Sequence, residues 1–72
     1  MTEPENQILQ VIRDIAFNKE TSDKVPAYVL SIEVAKITGL ALQEVSEAAI
    51  SLEARRLIKI GKTLNYEYYK LI

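Results

Sequence analysis

The apolar residues of this chain keep a helical period over most of its length and an alternating one near its end. Ile8, Leu9, Val11, Ile12, Ile15 and Ala16 recur at helical spacing, while Asn6, Gln10, Arg13, Asp14 and Phe17 fall mostly elsewhere on the wheel. The spacing predicts a helix over 4–18. Thr2 or Glu3 serves as its cap, and Pro4 stands in the first turn, where a missing N–H costs nothing. Thr2-Glu3-Pro4-Glu5 also fits a capping box. Residues 19–26 are polar, mixed in charge and end at Pro26, which reads as a loop. Tyr28-Val29-Leu30 has the aromatic and branched character of a short strand.

Ser31 is the expected N-cap of a second helix, whose apolar face is Ile32, Val34, Ala35 and Ile37. Gly39 ends it, because glycine enters the left-handed conformation at little cost. A third helix follows over 42–56. Val45, Ala48, Ala49 and Leu52 lie on one face, with Glu44, Glu47, Ser51 and Arg55 on the other. After Leu57 the pattern alternates. Ile58 and Ile60 bracket Lys59, 61–65 is the expected hairpin connection, and 66–72 is rich in strand formers. Two strands alone are marginal, so 28–30 is expected to join them as a third.

Within 31–50 the pattern is finer than two helices and a break. A helix-turn-helix needs a small residue where the second helix crosses the first, a permissive residue at the turn, and apolar residues that lock the crossing. Ala35, Gly39, Leu40 and Val45 take those places, with Val34 beneath; Ala48 stands where a larger aliphatic residue is commoner. The chain here resembles the winged helix-turn-helix superfamily over nearly its whole length. Ser31-Ile32-Glu33-Val34-Ala35-Lys36-Ile37-Thr38-Gly39-Leu40 looks like the first helix and turn of such domains. Leu52-Glu53-Ala54-Arg55-Arg56-Leu57-Ile58 looks like the end of the recognition helix entering the wing, and Tyr69-Lys70-Leu71 resembles the closing strand. The resemblance implies an α+β fold of three helices and a small antiparallel sheet, in the order α-β-α-α-β-β.

Length and composition narrow the picture. The 72 residues make one domain, which buries only about 60% of its unfolded surface. With no Cys and no His, disulfides are excluded and structural zinc has none of its usual nitrogen and sulfur ligands. The two glycines, 39 and 61, form no phosphate-cradling loop, and no acid pair or nucleophile–base pair is evident. The expectation is a non-enzymatic protein with no cofactor and no metal. The acidic start lacks the basic and apolar regions of a leader, and no apolar run reaches the ~18 residues of a membrane span, which points to a soluble, cytoplasmic chain.

Charge is unevenly distributed. Residues 55–72 carry Arg55, Arg56, Lys59, Lys62 and Lys70 against Glu67, while 1–54 carry four basic and nine acidic residues, for a net charge of −1. In winged-helix proteins the second helix of the motif usually enters the major groove and the wing contacts the backbone or minor groove. Carried over by position, the groove-facing candidates are Ala41, Leu42, Gln43, Ser46 and Glu47. Gln43 has the chemistry to read adenine, and Ser46 to reach a phosphate or base. The phosphate grip falls to Arg55, Arg56, Lys59 and Lys62.

Each candidate has a plainer reading. Gln43 and Ser46 equally suit solvated surface, and Arg55 and Arg56 suit the negative pole of a helix. Tyr66, Tyr68 and Tyr69 could stack on bases, but such rings more often cover a small sheet. Phe17 and Tyr28 read as core or rim. Two functions follow. One is a DNA-binding protein, sequence-specific or architectural, and a transcriptional regulator acting as a homodimer through the wide apolar face of the first helix, Val11 and Phe17 included. The other is a winged-helix module that meets a protein partner through Glu44 and Glu47.

Overall fold

In the computed structural model, which describes residues 2–22 and 28–72, the first helix, α1 (Glu3–Ser22), follows directly on Thr2. The Glu5 N–H donates to the Thr2 hydroxyl at 3.4 Å, so Thr2 is the cap, with Pro4 in the first turn. The helix runs one turn past the expected end at residue 18. Polarity alone does not stop a helix, and no glycine stands there. Lys19, expected in a loop, is instead in the last turn of α1. Its ammonium donates to the Tyr28 carbonyl at 3.0 Å and to Glu33 at 2.7 Å. Pro26, expected to close that loop, lies outside the described residues.

Strand β1 (Tyr28–Leu30) leads directly into α2 (Ser31–Thr38). Ser31 is not the cap but the first helical residue, and it is buried. The cap is Leu30, whose side chain has no acceptor to offer. Glu33 reaches back from the first turn to accept the Leu30 N–H at 3.1 Å, the half of a capping box that needs no polar side chain at the cap. Gly39 ends α2 at φ 75°, its N–H donating to the Ala35 carbonyl at 2.9 Å. This is the turn the sequence predicts, and it launches α3 (Leu42–Ala54).

Helix α3 stops two residues before the expected end. Arg55 is its cap and Arg56 sits at φ 62°, in the left-handed region. The Leu57 N–H then closes back on the Leu52 carbonyl at 3.1 Å. Strands β2 (Ile58–Lys62) and β3 (Glu67–Leu71) follow. Gly61, expected in the connection, is paired in β2, and the turn is 63–66 instead. The Thr63 side chain holds that turn, its hydroxyl donating to the Tyr66 carbonyl and accepting the Tyr66 N–H.

The sheet is antiparallel in the order β1-β3-β2, with Val29 opposite Tyr69 and Ile60 also opposite Tyr69. Three helices and this sheet, in the order α-β-α-α-β-β, make the α+β layout of a winged-helix domain. Ile8, Leu9, Ile12 and Ala16 of α1 pack with Val34, Val45, Leu52, Val29, Ile58 and Tyr69 in one core. Each fully buried aliphatic chain there contributes about 1.5–3 kcal/mol over leaving it in water. Ala48, small for its place, is buried where α3 meets α1. The close approach lets the Ser51 hydroxyl donate to Glu5 at 3.2 Å. Phe17, expected in core or rim, is instead 66% exposed, because the buried stripe of α1 passes through Ala16.

Candidate nucleic-acid interface

Helix α3 buries Val45, Ala48, Ala49 and Leu52, so its outward strip is Gln43, Glu47, Ile50 and Ala54. Gln43 donates to Glu47 at 3.3 Å along the exposed surface. Leu42 and Ile50 are exposed beside them, 48% and 59%, and α3 contains no Lys or Arg. Ser46 turns toward the hairpin and donates to Glu67 at 2.8 Å. Two turns further along the same side, Glu53 accepts the Ile60 N–H at 2.9 Å. These two bonds fix the helix against the hairpin, its N-terminal half toward the hairpin tip and its C-terminal end toward the base.

The Glu67 carboxylate also accepts from the Tyr69 phenol at 3.3 Å. Burial of the ring raises the Tyr69 pKa above the usual tyrosine range, and the charge and hydrogen bond of Glu67 raise it further; a hydrogen bond with Ser31 acts in the opposite sense. A polar chain therefore runs from the start of α2 through the core to α3. Glu33 is shifted down. Burial alone would raise it, but the Lys19 hydrogen bond, the Leu30 N–H and the Lys19 charge together outweigh that.

The cations expected to grip phosphate stand in three places. Arg55 and Arg56 are exposed at the end of α3. Lys62 is near the hairpin tip, opposite Glu67 and on the same side of the strand as Ile58 and Ile60, which is the side of α3. Lys59 is on the other side of the sheet, directly opposite Lys70. The hairpin thus separates two lysines that read as equivalent in sequence. Sequence reasoning passed over Glu53 and Glu67, which join helix to wing, and misread Gly61. The alternation after Leu57 holds that information, but the ladder pairing follows only once the turn is placed at 63–66.

Comparison with known proteins adds no relative: no family model, curated protein or solved structure matches this chain.

Proposed function

We propose that this chain is a DNA-binding protein of winged-helix type, acting in transcriptional regulation. The observation that carries this reading is the joint between helix and wing. Ser46–Glu67 and Glu53–Ile60 hold α3 and the hairpin as one surface, with the helix face outward, as a groove reader requires. Arg55, Arg56 and Lys62 border that surface and supply phosphate contacts; Lys59, on the far side, meets DNA only where the duplex wraps past the wing. Gln43 is the candidate base reader, once it exchanges Glu47 for a base edge. A second copy supplies a second half-site, with exposed Phe17 available to such a contact.

The test is duplex binding titrated across salt. Each phosphate contact contributes about −0.9 to the slope of log K against log salt, so R55E, R56E and K62E should each flatten it by roughly that amount. A slope near zero, or one that these changes leave alone, refutes the reading. Molecular mass in solution, with and without DNA, decides the dimer.

One observation favours a second reading. The outward strip of α3 has Gln43, Glu47 and Ile50, with Leu42 exposed beside it, and no cation, which suits a protein partner with an apolar and basic surface. Under that reading I50E and the pair E44K and E47K abolish partner capture and leave duplex affinity unchanged or improved.

A further inference from the structure

The sheet has a second face, turned away from the helices. Val29, Tyr69 and Ile58 point inward and are buried. Their neighbours Tyr28, Leu30, Tyr68, Lys70, Lys59 and Gly61 share the outer side.

Two unfavourable local choices meet there. Lys59 and Lys70 stand directly opposite each other, and like charges so placed destabilise a ladder. Beside them Gly61 weakens the strand, since glycine brings no side chain to pack. The Tyr68 ring fills the space a side chain at 61 would need: a Cβ on Gly61 would lie 2.2 Å from its Cζ. Tyr68 also meets the Tyr28 ring, centroids 5.0 Å apart and tilted by 49°.

Together these residues form a groove of about 250 Å³ lined by Lys59, Ile60, Gly61, Tyr68 and Lys70. Among the described residues, two further charged groups stand beside it. Lys19, over the Tyr28 ring at 5.8 Å, is paired with Glu33. Glu53 borders Lys59 and Lys70 along the β2 edge, where its carboxylate is bound to the Ile60 N–H. Among the described residues, two ammonium groups against one carboxylate leave the patch positive.

A wall of aromatic ring flanked by two cations suits a ligand that is flat, aromatic and anionic at once. We propose that the outer face of the sheet binds single-stranded nucleic acid, with a base lodged against Tyr68 and the flanking phosphates held by Lys59 and Lys70. A duplex cannot occupy it in the same way, because its bases are stacked on one another and present no face to the ring. This site is separate from the surface of α3 and from Lys62, so it stands or falls independently of the duplex reading.

The experiment is fluorescence anisotropy of an end-labelled oligothymidylate with the full chain, titrated across salt. Two phosphate contacts on a single strand give a slope of about −1.4, and K59Q and K70Q should each remove about half of it. Y68L should weaken binding roughly tenfold, while Y68F, which keeps the ring, should retain it. K62Q and R56Q should leave it unchanged, whereas R56E and K62E act in the duplex assay. The site is refuted if K59Q and K70Q leave affinity untouched, or if polyphosphate of equal charge binds as well as the oligonucleotide. In a variant carrying both R56E and K62E, whose duplex surface is disabled, equal binding to a duplex of the same length refutes it too. Circular dichroism confirms that each variant folds. If Y68L does not fold, the two lysines, both exposed, and the quenching of tyrosine fluorescence by the oligonucleotide decide the question.

Discussion

Replacing Gly61 by alanine tests the pairing of that residue with Tyr68. The φ of Gly61 lies outside the left-handed region, so the backbone itself accepts alanine. The obstacle is the ring, since the new Cβ would stand 2.2, 2.4 and 2.6 Å from three of its heavy atoms. Those atoms are the far end of a side chain, which can swing. Swinging costs about 0.5–1.5 kcal/mol for an off-rotamer ring. It also gives up part of the contact with Tyr28, about 0.5–1.5 kcal/mol for an aromatic pair. Against this, alanine reduces the freedom of the unfolded chain and returns about 0.4–1 kcal/mol. The balance is a net loss of roughly 0.5–2 kcal/mol. In a Y68A background the obstacle is gone, and the same substitution should stabilise by about 0.4–1 kcal/mol. Urea unfolding of the four proteins measures the change of sign. If G61A has the same effect in both backgrounds, the ring does not lie over Gly61, and the groove described above is not formed.

Four further outcomes are expected. R56G should raise stability by about 1 kcal/mol in the same assay, because glycine takes the left-handed conformation without the strain of a Cβ. S46A removes the bond to Glu67 and should cost about 1 kcal/mol; a larger loss of duplex affinity than of stability would mark the joint as functional. The stabilising contribution of Glu33, whose folded pKa is lowered, is present above the ordinary glutamate range and lost as pH falls through the lowered value; E33Q should flatten the acid limb of a stability–pH profile. Tyr69, whose folded pKa is raised, contributes stability fully present below about pH 10 and lost as pH rises beyond it, so its phenolate absorbance should emerge together with loss of helical circular dichroism.

Much of the fold is written locally. The left-handed turn at Gly39 and the Thr2 cap depend on one or two residues, and both stand where the sequence puts them. The helical and alternating stretches follow from burial of one face, which a one-dimensional pattern records well. The departures share a different cause. Ser31 lost the cap because Glu33 and the core competed for that corner, with Ser31 drawn inside beside Tyr69. Gly61 reads as a turn residue in isolation and becomes a strand residue only because a ring seven positions later needs its space. The candidate site was legible as a set of residues and not as an arrangement. Lys59 and Lys62 are three apart on a strand, which puts them on opposite faces, and the partners of Ser46 and Glu53 lie on an element whose register depends on the turn.

The bond from Ile60 to Glu53 has one more consequence. β2 is an edge strand, and an edge with free N–H groups is a template on which another chain can add a strand. In the middle of this edge the donor is already taken, at 2.9 Å, by a carboxylate from the domain's own helix. An incoming strand would have to displace that carboxylate and settle beside the charged Lys59 and Lys62. The contact that steadies the wing therefore also guards the molecule against self-association through this edge of its sheet. E53A should uncover that liability as concentration-dependent aggregation, even where the fold itself survives.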